Sequence, residues 1–72
     1  MGDLKYQILE TLLVFPDYGK WHKELTLTQW GSKDPKYDLR PWNKDRSECL
    51  KGITLTKEEL KKLKEGLGGI EL

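Results

Sequence analysis

Residues 36–55 read KYDLRPW, then NKDRSEC, then LKGITL, and the fold is decided there. In the first piece Lys36, Asp38 and Arg40 fall on one side, and Tyr37 and Leu39 on the other. That two-residue period belongs to a half-buried strand. One face can join a core. The other offers cations and, at its end, the indole of Trp42. Such a face suits an unpaired nucleic-acid strand, whose phosphates want cations and whose bases want planes to stack on. Pro41 lacks a backbone N–H, so the strand must end, bulge or lie at an edge there. The polar run 43–49 is a loop. Leu50–Leu55 reads as a short further strand, in which Gly52 marks a bulge or a close backbone approach.

Working outward, Thr56-Lys57-Glu58-Glu59 is a capping box. It opens a helix from about Lys57 to Gly66, with Leu60, Leu63 and Leu67 on one side and Lys61, Lys62 and Lys64 on the other. Upstream, residues 20–30, KWHKELTLTQW, alternate clearly. Trp21, Leu25 and Leu27 share a face with Lys23 between them; His22, Glu24, Thr26, Thr28 and Trp30 share the opposite one. Leucine against threonine predicts one core face and one wet face. The loop 31–35, GSKDP, suits a hairpin. Residues 4–15 fit either a helical stripe or a strand buried on both faces, and the β-rich continuation favours the strand. Pro16-Asp17-Tyr18-Gly19 reads as a turn.

The expected architecture is therefore α+β: one four-stranded curved antiparallel sheet followed by a single amphipathic helix, β-β-β-β-α, in one domain over 1–72. A chain of 72 residues makes a marginal core by itself. Three leucines on a helix cannot cover four strands. A homodimer is the expected remedy.

Chemistry is limited by what the chain contains. Cys49 is its only cysteine and His22 its only histidine, so neither a disulfide nor a zinc site is expected, and no cofactor is implied. No phosphate loop or nucleophile motif is present, so no enzyme and no small-molecule substrate are expected. His22, beside Lys23 and Glu24, reads as a solvated residue. Asp38 and Glu24 read as partners of Lys36 and Arg40 rather than an acid–base pair. No apolar run is long enough for a membrane span. The N-terminal residues, with Asp3, do not form a charged-then-apolar leader, which with a free thiol predicts a cytoplasmic location.

Net charge is only +1, but Lys20 to Lys51 hold eight Lys/Arg against five Asp/Glu, a mild local excess. Trp21 shares the leucine face and reads as core. Trp30 and Trp42 fall on the other face with Lys36 and Arg40. They either stack on a ligand or pack at the sheet margin. Lys51, beside Gly52, could meet a phosphate.

WHKELTLTQW, PKYDLRPW and KGITLTKEEL together resemble the single-stranded-DNA-binding domain of the positive-cofactor-four transcriptional coactivators, most closely their small bacterial YdbC-type relatives. The resemblance spans roughly Lys5 to Leu67. It implies a dimer with grooves for single-stranded DNA, bound with little sequence preference. By position it implies roles for Trp30, Arg40, Trp42 and Lys51, with Lys20, Lys23 and Lys36 along the groove. Pro41 departs from the family pattern. The process served, whether transcription regulation, replication or repair, is not written in these residues. RNA binding or protein capture through the same face are the alternatives.

Overall fold

A computed structural model describes residues 5–72. Its elements are β1 (Tyr6–Tyr18), β2 (Trp21–Trp30), β3 (Lys36–Trp42), β4 (Ile53–Leu55) and α1 (Lys57–Leu67). The strands form one antiparallel sheet in the order β1-β2-β3-β4. This is the expected β-β-β-β-α arrangement. The ambiguous stretch 4–15 is a strand from Tyr6 onward; Leu4 lies outside the described residues. It is largely exposed rather than buried on both faces, because as an edge strand it has no layer packed over it among the described residues.

β1 runs beyond the turn expected at Pro16. Its pairing with β2 shifts register three times, the last between Val14 and Asp17, around Pro16. β1 is an edge strand, where a missing N–H breaks no ladder bond, and bulges of this kind bend a strand. The turn contracts to Gly19-Lys20, with Gly19 at φ 66°, the positive angle that two-residue hairpins demand. The second hairpin loop, 31–35, is as expected.

Pro41 neither ends nor bulges β3. The β2–β3 register is unbroken through Lys23↔Pro41 and His22↔Trp42. The Pro41 carbonyl points away from β2 and accepts from the Leu50 N–H at 3.0 Å. The nitrogen that carries no hydrogen faces the same way, past the last β3–β4 pair, Leu39↔Ile53. Trp42 therefore keeps the parity of Arg40.

β4 is shorter than the expected Leu50–Leu55; upstream of it a lone bridge joins Trp42 to Cys49. Gly52 makes the predicted close approach. A Cβ there would meet Arg40 Cβ and the Leu39 carbonyl oxygen, both at 2.3 Å. Gly52→Ala is expected to push β4 from β3 and to cost about 2–3 kcal/mol, a fall of roughly 10 °C or more in melting temperature. Thermal unfolding checks this.

The capping box is complete. The Glu59 N–H donates to Thr56 Oγ1 at 3.1 Å, and the Thr56 N–H donates to Glu59 Oε1 at 2.8 Å. The helix beyond it buries no residue, and its backbone comes closest to β3 and β4.

The two sheet faces reverse the expected roles. The row His22, Glu24, Thr26, Thr28 is buried, and opposite it Asp38 and Trp42 are 0% and 1% exposed. The leucine side stays open, with Leu13 at 53% and Leu63 at 43% exposed. The buried polar side chains are satisfied by one another. Thr26 and Thr28 hydroxyls lie 2.7 Å apart, and Asp38 and Glu24 each hold an arginine. Burying such groups is tolerable only with this pairing.

Candidate nucleic-acid interface

β3 and β2 together position a guanidinium on an indole. Arg40 donates from Nε and Nη2 to the two Asp38 carboxylate oxygens, each at 2.7 Å. This fork holds its guanidinium carbon 4.4 Å from the Trp30 ring centre. Burial pulls the Arg40 pKa down, but the hydrogen bonds and charge of Asp38, with a smaller contribution from Cys49, together outweigh it, and the net shift is upward. Arg40 is thus a permanent cation in a fixed plane. Lys36, on the same face, and Lys33, from the hairpin loop, flank it. With Trp30, Asp34 and Thr54 these residues line an open hollow of about 230 Å³. The structure so brings together Trp30, Lys36 and Arg40, and adds Lys33.

Tyr6 stands between the two indoles of this face. Its ring centre is 5.3 Å from that of Trp30 and 5.5 Å from that of Trp42. Trp42 is sealed, which corrects the expectation of an exposed indole pair. The Tyr6 ring lies against Trp42, and the loop 43–49 folds back beside it, with Arg46 bonded to Tyr6 and reaching Glu24. Arg46 Nη2 donates to Glu24 Oε1 at 2.5 Å and to Thr11 Oγ1 at 2.9 Å. Among the described residues, neither Trp30 Nε1 nor Trp42 Nε1 has a hydrogen-bond partner.

The remaining expected residues do not join the Trp30 hollow. Lys20 lies at the far hairpin, its ammonium 5.0 Å from the Trp21 ring centre and 3.9 Å from Glu48. It precedes the first residue of β2, whereas Trp30 is the last. Lys23 pairs with Pro41 and shares the leucine side, across the sheet from Arg40. Lys51 is exposed beside Gly52, on the segment pressed against β3. Trp21, expected in the core, is half-buried next to Tyr18, its register partner, which is 86% exposed.

His22 is not a solvated residue: its Nε2 lies 2.5 Å from Glu24 Oε2, inside the buried row. Sequence reasoning also missed Lys33, Tyr6, Tyr18 and Arg46. Tyr18 carried a signal, since an aromatic next to a hairpin glycine has little to bury it. Arg46 carried none: it sits at φ 60° in a polar loop, and its partner Glu24 is 22 residues away. Among the described residues no cluster of potential metal ligands occurs, and no helix is long and apolar enough to cross a membrane.

Among the described residues, an open antiparallel sheet carries the Arg40–Trp30 contact with Lys33 and Lys36 beside it. The chain belongs to the Transcriptional Coactivator p15 (PC4) family, whose model matches residues 19–66. Membership suggests a nucleic-acid-binding, coactivator-like domain. The chain is also similar to an uncharacterized protein of Treponema pallidum (strain Nichols), 38% identical over 52 residues. That match covers 72% of this chain and 61% of the length of the relative.

Proposed function

We propose that residues 1–72 form one domain that binds single-stranded DNA as a homodimer, with little sequence preference, in transcription regulation or in replication and repair. The observation that supports this best is the stack of Arg40 on Trp30 with Lys33 and Lys36 beside it. Bases stack on the exposed edge of that pile. Both indoles and guanidinium planes accept any base, so little sequence is read. Phosphates lie along Lys33, Lys36 and Lys51, and the strand continues towards Lys20, Trp21 and Tyr18 at the other end of β2. Asp38 neutralises part of the Arg40 charge, so the free lysines carry most of the phosphate attraction. The open leucine side is the dimer surface. A cytoplasmic setting suits the role.

Fluorescence anisotropy with oligo-dT tests the reading. Binding should exceed that to duplex and weaken with salt, by about 0.7 log unit per log unit of salt for each phosphate held. Trp30→Ala should lower affinity about 5- to 150-fold, the equivalent of a stacking loss of about 1–3 kcal/mol. Lys33→Ala should lower the salt slope by about 0.7. Equal affinity for duplex, or a Trp30→Ala variant that binds normally, overturns the assignment. Parallel titration with oligo-U tests RNA. Peptide capture on the free edge of β1 is the weaker alternative, because three register shifts and Pro16 interrupt that edge.

A further inference from the structure

The loop 43–49 is held together largely by its own hydrogen bonds: Asn43 Nδ2 donates to Ser47 Oγ at 2.9 Å, the Glu48 N–H to Asn43 Oδ1 at 3.0 Å, and the Ser47 N–H to Asp45 Oδ1 at 3.0 Å. Residues 43–48, NKDRSE, include no apolar side chain that could anchor the loop to a core. Besides the exposed Lys20–Glu48 pair and the Trp42–Cys49 bridge at its end, what ties it across the sheet is Arg46. Its guanidinium holds Glu24 and Thr11, and its carbonyl accepts a long 3.4 Å bond from the Tyr6 hydroxyl. Arg46 adopts a left-handed φ of 60°, a conformation that surroundings must impose on a non-glycine residue and that recurs at switch regions. Under and beside the loop is an aromatic hollow of about 600 Å³, lined by Tyr6, Trp21 and Trp42 with Ser47, Glu48 and Leu50. Trp42 is sealed there at 1% exposure with its indole N–H unpartnered among the described residues.

We propose that this loop is a strand-operated lid: Arg46 is a phosphate-binding residue held in reserve on Glu24, and a single strand that takes Arg46 uncovers Trp42 and Tyr6 for stacking. The proposal rests on the single-strand reading above. A phosphate offers Arg46 the same bidentate geometry as the Glu24 carboxylate. Glu24 is not abandoned when Arg46 leaves, because His22 Nε2 remains 2.5 Å from its other oxygen. The opened site gives the orphan Trp42 N–H access to an acceptor. Binding then draws on a minor open state, so weakening the latch strengthens binding.

The test uses the whole chain labelled with nitrogen-15, in which the three indole N–H signals are followed by NMR and that of Trp42 is assigned with Trp42→Phe. In the free protein the Trp42 N–H should exchange slowly with solvent. Arg46→Ala should speed that exchange about tenfold or more, as expected when a local opening free energy falls. Oligo-dT added to the wild type should shift the Trp42 signal. By anisotropy Glu24→Gln should bind oligo-dT roughly three- to tenfold more tightly, in proportion to the open fraction, whereas Arg46→Ala should bind more weakly. Because Glu24 is buried, its variant could fold poorly; the Arg46→Ala exchange measurement then decides. Unchanged Trp42 exchange in Arg46→Ala overturns the lid. So does oligo-dT that binds by anisotropy while the Trp42 signal stays fixed, an outcome that leaves the single-strand reading intact. Failure of oligo-dT to bind at all overturns both.

Discussion

Asp38→Ala is expected to lower the melting temperature by more than 10 °C. Asp38 is fully buried in the middle of β3, and both its oxygens hold Arg40 at 2.7 Å. Arg40 is itself only 16% exposed at its side chain. Removing one member of a buried pair leaves the other charge uncompensated, at about 3–5 kcal/mol. A small domain has only about 5–15 kcal/mol to lose, and each 1 kcal/mol moves its melting point by about 4–8 °C. The loss should extend to the site, because the Asp38 fork is what lays the guanidinium over Trp30. Asp38→Asn keeps the shape and one acceptor, and should fall between the two. Calorimetry on the three proteins at one concentration checks the order. An Asp38→Ala protein melting with the wild type would mean that the buried row is not what holds the sheet together.

That row shows where sequence reading succeeds and where it stops. Alternation correctly assigned faces: Lys36, Asp38 and Arg40 lie together, and Trp42 joins them because Pro41 spends its missing N–H beyond the end of β4. The capping box and the hairpin 31–35 are local chemistry and were fully legible. The close approach at Gly52 was legible from the glycine itself. Which face is sealed was not legible, because a period of two separates sides without ranking them. The seal comes from Tyr6 and Arg46, 40 residues apart in the chain and joined through a side chain-to-backbone bond. No local pattern encodes that meeting. Thr26 and Thr28 read as wet because hydroxyls usually face water; here they face each other. The position of Lys23 was already written in its parity with Trp21 and Leu25, and the family resemblance pointed elsewhere.

Leu63→Glu is expected to turn the proposed dimer into a monomer. Among the described residues Trp42 is the only fully buried apolar side chain, too little core for a domain of this size to stand alone. The missing core lies on the leucine side. There Leu13, Phe15, Leu25, Leu39, Leu60 and Leu63 border an open groove of about 480 Å³. The helix backbone comes closest to β3 and β4, and at the β1 side of that groove Leu13 and Phe15 remain exposed. An apolar surface of this kind, left bare, drives association. In the proposed dimer a second copy would supply a matching stripe, and a two-fold arrangement would let each helix close the groove of the other. A carboxylate at position 63 would have to be desolvated without a partner, a cost of several kcal/mol. Light scattering should therefore give a dimer for the wild type and a monomer for Leu63→Glu, melting at least 10 °C lower. The wild-type melting temperature should rise with protein concentration, and that dependence should vanish in the variant. Lys61→Ala, on the exposed side of the helix, should behave as wild type. Should the wild type run as a monomer with a melting point indifferent to concentration, the leucine side needs another occupant and the dimer is refuted.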